Sequence, residues 1–137
     1  MMLKRLAVAV LALALAPLAS AQAWPERPIK FVMSAPAGSS IDVLGRTIAD
    51  KLKDRLGQPV VVENKPAAGG TAATAELARS APDGYTIAFG SQGTLVFNTA
   101  IYATPGYDSR KDFQPIALLG GVSNVMIVPP TSPAKRA

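Results

Sequence analysis

The 137-residue chain contains no cysteine and no histidine. The first absence excludes disulfides and cysteine-based zinc sites. The second excludes histidine-ligated metals and the Ser-His and Cys-His pairs that activate nucleophiles. Acid–base chemistry is left to nine Asp and Glu residues, dispersed without an evident pair. An enzyme would have little to work with, and no metal or cofactor is expected. Concentrated positive charge is lacking as well. Fourteen Lys and Arg give a net charge of +5, but no four of them run together, so the pattern carries no nucleic-acid footprint. The longest apolar run, Leu6–Leu18, has 13 residues and is broken at Pro17. A spanning helix needs about 20 residues, so no stable membrane insertion is expected.

What occupies that run is an export signal. Lys4 and Arg5 form a positive n-region, Leu6–Leu18 an apolar h-region, and Ala19-Ser20-Ala21 and Ala21-Gln22-Ala23 two A-x-A cleavage sites. Residues 1–23 (or 1–21) read as a secretory signal peptide that directs export across the membrane, and no cysteine follows for a lipid anchor. About 114 residues remain, enough for one small domain. Loss of Lys4 and Arg5 lowers the net charge to +3.

Past an exposed Trp24–Pro28, "IKFVM" (29–33) reads as a strand. The stretch 39–57 reads as a helix, with Ile41, Leu44, Ile48, Leu52 and Leu56 on one face. Ser39 and Asp42 make a capping box, and Gly57 stands at the C′ position. "VVVEN" (60–64) has the β-branched character of a buried parallel strand. "KPAAGG" (65–70) is a loop, 71–81 an alanine-rich helix opened by Thr71 and stopped by Pro82, and "PDGY" a turn. "TIAFG" (86–90) is a third strand, and 91–102 a Gly-containing turn leading into a short helix. A polar connection follows, then two more strands at 116–120 and 124–128. Trp24, Tyr85 and Tyr107 read as packing residues. The order β-α-β-α-β predicts a parallel, right-handed sheet with helices on its faces.

In such a sheet the loops after the strands share the carboxyl edge, where open α/β sheets bind ligands. Three loops of small residues fall there: Ser34–Ser40, Lys65–Gly70 and Ser91–Thr94. Each opens onto a helix N-terminus, which favours anions. "PAGSSID" lacks the G-K-[ST] ending of a P-loop, and no G-x-G-x-x-G follows Met33. Without a lysine in the loop, N–H and hydroxyl donors suit a carboxylate better than a phosphate. The candidate ligand residues are Ala35, Ala37, Gly38, Ser39, Ser40 and Asp42 in the first loop and Gly69 and Gly70 in the second. The third supplies Ser91, Gln92, Gly93 and Thr94, with Asn98 one turn on. Three of these have structural readings too: Asp42 is a first-turn helix acid, and Gly69 and Gly70 relieve backbone strain. Asn64 at its strand end either caps the loop or touches a ligand, and capping is the favoured reading.

The run from "PERPIKFVMSAPAGSSIDVLGR" through "LGQPVVVENKPAAGG", "APDGYT" and "YDSRKDFQPIALLG" closely resembles the amino-terminal half of the Bug family. These are periplasmic solute-binding receptors of tripartite tricarboxylate transporters. The resemblance extends from about Trp24 to the end of the chain. It implies a Venus-flytrap fold of the type II periplasmic-binding-protein class, with a ligand held between two α/β lobes. It also implies organic-anion ligands: di- or tricarboxylates, acidic amino acids or aromatic acids. Membrane components of a tripartite transporter are the implied partners. In the family, the loops after the first and third strands contact a ligand carboxylate; here these are Ala35–Asp42 and Ser91–Asn98. Ser39 and Ile41 depart from the family's P-A-G-G-x-T-D pattern, Ile41 removing a hydroxyl contact, and Ala67 stands where Gly is common. Family members are roughly twice as long. On this reading 24–115 is the amino-terminal segment of the first lobe, and 116–137 the crossover into a truncated second lobe. The rival reading is an exported interaction module that pairs with another chain through uncovered strands.

Overall fold

Alternation of large apolar side chains builds the centre of the fold from Ile29–Met33, strand β1. Ile29, Val32 and Met33 are fully buried, and each such side chain contributes about 1.5–3 kcal/mol of hydrophobic stabilisation. The computed structural model describes residues 24–121 together with 127, 129 and 131. The expected export signal at 1–23 and nearly all of the expected strand 124–128 lie outside the described residues.

Strand β2 (Val60–Asn64) and strand β3 (Thr86–Phe89) flank β1, both parallel to it, in the order β2-β1-β3. Phe31 faces Val62 on one side and Ile87 on the other. Helix α1 (Ser40–Leu56) crosses from β1 to β2, and helix α2 (Thr71–Arg79) crosses from β2 to β3. Ile41, Ile48 and Ala49 of α1 pack on Phe31, Met33, Val60, Val62, Ile87 and Phe89. Gly45 brings the helix close: a Cβ there would stand 2.4 Å from Met33 Cε. Side chains alternate along a strand, so Lys30 points to the opposite sheet face, where Glu76 of α2 meets it at 2.8 Å. The sheet is thus a parallel one with helices on both faces. Its carboxyl edge lies where the chain leaves β1 at Met33, β2 at Asn64 and β3 at Phe89.

Local signals held where their partners are near in sequence. Ser39 Oγ accepts the Asp42 N–H at 3.3 Å, and Gly57, at φ +70°, donates to Lys53 O at 3.0 Å. Helix α2 ends at Arg79, two residues short of 81, because the residue before Pro82 is pushed out of helical backbone angles. The stretch 91–102 resolves into a π-turn, Gly93–Phe97, and the one-turn helix α3, Asn98–Ile101. The expected strand at 116–120 is corrected: residues 113–121 carry no regular structure, and Ile116 and Leu118 are 82% and 94% exposed. A strand needs a neighbour for its backbone hydrogen bonds, and nothing among the described residues supplies one there. Trp24 is half exposed, its ring 6.0 Å from that of Tyr85 and against Gly84. Tyr107, in contrast, is buried.

Candidate functional site at the carboxyl edge

The three small-residue loops do meet, and they meet at Gly70. A Cβ on that residue would lie 2.5 Å from Ser34 Cβ, 2.8 Å from Thr94 Cγ2 and 3.0 Å from Ser34 O. One position therefore touches the loops after β1 and β3 at once. Its backbone is left-handed (φ +85°), as are Gly69 (φ +61°) and, against the usual preference, Ala68 (φ +51°). Left-handed angles cost an L-residue roughly 1–2 kcal/mol, so glycine is required at 70 for both space and conformation.

Asp42 organises the first loop. It is buried, and its Oδ2 accepts the Gly38 N–H at 2.8 Å and Arg46 Nε at 3.0 Å. Its Oδ1 accepts Asn64 Nδ2 at 2.7 Å. The same Asn64 amide donates to Ala35 O at 3.0 Å, while its own oxygen accepts Arg46 Nη2 at 2.8 Å. Both carboxylate oxygens are thus spent inside the protein, where they hold Gly38 and Ser39 in place at the head of α1. Ile41 packs toward the core. The N–H groups of Ser40 and Ile41, which a helix's first turn leaves without intrahelical partners, stand at its positive end. Ala37, Gly38 and Ser40 are exposed, Ser39 is half-buried and Ala35 is buried.

The second and third loops are stitched together. Asn98 Nδ2, buried, donates to Gly69 O at 3.0 Å and to Thr71 Oγ1 at 2.9 Å. Thr94 is buried under the third loop, where its Oγ1 accepts the Ser91 N–H at 3.0 Å and its N–H donates to Ser91 Oγ at 3.3 Å. Tyr107 Oη donates to Thr94 O. Burial pushes the Tyr107 phenol up from its ordinary pKa, with the Thr74, Thr71 and Asn98 side chains opposing that shift. Gln92 is exposed at the tip, with Ser91 and Gly93 half-buried beside it.

The expected residues therefore separate by position. Ala37, Gly38, Ser39, Ser40, Gly69, Ser91, Gln92 and Gly93 line the accessible rim, while Ala35, Asp42, Gly70, Thr94 and Asn98 lie beneath it. Sequence reasoning placed Ser34 in the first loop without making it a candidate, and did not assign Arg46 or Tyr107 to this region. Only the "YDSRKDF" motif hinted at the last. It also left the acids unpaired, whereas Glu63 and Glu76 share Lys30 and Lys65. Lys30 reaches Glu76 at 2.8 Å and Glu63 at 3.2 Å, and Lys65 reaches Glu63 at 3.3 Å and also pairs with Glu76. The Lys30 hydrogen bonds first, with those from Lys65 adding to them, hold both glutamates below the usual carboxylate range, and the hydrogen bonds to Glu76 first, then to Glu63, raise both lysines. The cations nearest the loops, Arg46 and Lys65, are thus committed to internal acids. A shallow depression of about 400 Å³, lined by Thr99, Pro105, Tyr107, Asp108, Ser109 and Arg110, lies apart from the rim residues.

Asp42 carries a pH signature. The Arg46 hydrogen bond first, then those from Gly38 and Asn64, lower its pKa from 3.8 to about 2. A depressed carboxyl contributes stability above its unfolded pKa and loses it as pH falls through the folded one. The difference in urea midpoint between the native chain and Asp42→Asn should hold steady down to about pH 5 and shrink toward pH 2. A constant difference across that range would contradict the ionised role of Asp42.

The sequence profile described as "Tripartite tricarboxylate transporter family receptor" matches residues 44–137. The chain belongs to that family. A UPF0065 protein of Bordetella bronchiseptica is 43% identical over 112 residues, which is 82% of this chain and 33% of that protein. BugT of Bordetella pertussis is 38% identical over 112 residues, 81% of this chain and 34% of BugT. The chain thus spans about a third of the length of these receptor-family relatives. Among solved structures, the periplasmic binding protein BugD is 41% identical with a TM-score of 0.64, covering 68% of this chain and 31% of BugD. MatC from Rhodopseudomonas palustris, solved with bound malate, is 38% identical with a TM-score of 0.66, covering 70% and 33%. The parallel sheet with its flanking helices is therefore the corresponding part of a periplasmic-binding-protein fold.

Proposed function

We propose that the chain is the amino-terminal portion of a periplasmic receptor that captures a small organic carboxylate and passes it to the membrane components of a tripartite transporter. The observation that carries this reading is the meeting of three loops at Gly70 on the carboxyl edge, with their rim lined by neutral donors. The serine hydroxyls of Ser39, Ser40 and Ser91 and the amides of the rim suit a carboxylate, and the head of α1 adds about 0.3–1 kcal/mol of attraction for an anion. Arg46 and Lys65 are already paired, which leaves a phosphate dianion poorly served. Similar proteins have been solved with malate and with adipate, and di- or tricarboxylates, acidic amino acids and aromatic acids are the ligand classes to try. Residues 24–115 form the first-lobe segment in this reading, and capture involves no bond made or broken.

A rim open to water binds weakly, since each hydrogen bond replaces one with solvent. Millimolar affinity corresponds to about 4 kcal/mol. Saturation-transfer NMR of the 137-residue chain with malate, adipate, citrate, glutamate and benzoate should give transfer to at least one acid. No transfer to any of them would contradict the receptor reading. Concentration-dependent dimerisation in the same samples, with no response to any acid, would favour pairing through the exposed apolar residues Ile116 and Leu118 instead.

A further inference from the structure

The third loop leads into a π-turn, and the structure shows what accompanies that unusual register. In an α-helix the Asn98 N–H would reach back four residues, to the Thr94 carbonyl. Here it donates to Gly93 O, five residues back, and the Thr94 carbonyl receives the hydroxyl of Tyr107. A side chain that inserts into the helical ladder breaks its regular i→i−4 bonding and bends the helix, and π-turns recur at functional sites. We infer that Tyr107 is a positioning residue whose hydroxyl holds residues 93–97 in π register and thereby sets the third loop and Asn98 against the second loop.

The consequence follows from the chain's geometry. Inserting one residue per turn rotates everything past it by about 100° relative to an α-helix of 3.6 residues per turn. Asn98 lies immediately past the π-turn, and its amide ties Gly69 O and Thr71 Oγ1. The Ser91 side chain precedes the turn and Thr94 lies in its first half, and their hydroxyls interlock at its head. Tyr107 can hold this arrangement because it is buried and its ring is braced 5.7 Å from that of Phe113. Relaxed to α register, the turn would carry the Asn98 amide away from the second loop and part the two loops. For ligand capture, this inference rests on the receptor reading above. The register itself does not.

The test uses the full chain labelled with ¹³C and ¹⁵N. In the native protein the coupling across the hydrogen bond from Asn98 ¹⁵N should run to the Gly93 carbonyl carbon, and coupling to the Thr94 carbonyl would overturn the inference. That result needs no variant and stands if the variant does not fold. In Tyr107→Phe, which removes the hydroxyl alone, the Thr94 carbonyl and the amides of 93–98 should shift while those of α1 stay put. Dissociation constants for malate should rise about three- to tenfold, the loss expected for one hydrogen bond's worth of organisation. Unchanged signals at 93–98 would overturn the register role, whatever malate does. Shifted signals with native malate affinity would overturn the positioning role. A native chain that binds no acid would sink the receptor reading, and the carbonyl coupling together with the Tyr107→Phe shifts at 93–98 would still decide the register role of Tyr107.

Discussion

Gly70→Ala is expected to destabilise the chain by about 2–5 kcal/mol, combining the left-handed backbone cost with overpacking. The added methyl has no direction in which to relax. Two of its three nearest neighbours belong to Ser34, one of them a backbone oxygen, and the third is the buried Thr94. Gly38→Ala is the matched control, because Gly38 has nearly the same backbone angle (φ +81°) but nothing within 4 Å of its missing Cβ. That change should cost only about 1–2 kcal/mol. The excess of the first over the second, read from urea unfolding, measures how tightly the three loops converge. Equal losses would mean that the loops are not packed together at Gly70.

Asn64→Asp should be the second most damaging change, at about 2–4 kcal/mol near neutral pH for two lost donations inside the protein. The side chain keeps its shape, but its NH₂ becomes an oxygen facing two acceptors, Ala35 O and Asp42 Oδ1. Arg46, on the other oxygen, offsets only part of that repulsion. The sign of the pH dependence distinguishes this from simple damage. A carboxyl crowded against another carboxylate has a raised folded pKa, so it destabilises most above that value and less as protonation restores a donor. Urea midpoints of the variant should therefore recover toward native values between pH 7 and pH 5, the opposite trend to the one set by Asp42. A variant equally weakened at both pH values would show that Asn64 does not donate to Asp42.

These two residues also show what the sequence can and cannot reveal. Strands 29–33 and 60–64 and the body of α1 were legible because their signals are local: β-branched runs, a 3–4 spacing of apolar residues, a capping serine and a terminal glycine. The shared edge of the three loops was legible from topology, since parallel strands leave their following loops on one side. The resemblance in "LGQPVVVENKPAAGG" and "YDSRKDFQPIALLG" pointed to the family directly. What remained hidden depends on partners far away in the chain. Asn64 looked like a cap for its own loop, yet it bonds to Ala35 and Asp42, 29 and 22 residues earlier. Tyr107 looked like packing, yet its hydroxyl reaches Thr94. The run at 116–120 misled because a short apolar run is compatible with a buried strand without saying whether an adjacent strand is present to pair with it.

Central to the proposed function is that a carboxylate binds at the rim formed by the loops after β1, β2 and β3. The most direct test is a ¹H–¹⁵N titration of the 137-residue chain with malate and with adipate up to tens of millimolar, at matched ionic strength so that general salt effects cancel. Shifts are predicted at the amides of Ala37–Ile41, Gly69 and Ser91–Gly93, with one saturating curve describing all three loops. Shifts confined to the opposite edge around Trp24 and Tyr85, or no saturable shift at any amide with either acid, would contradict it.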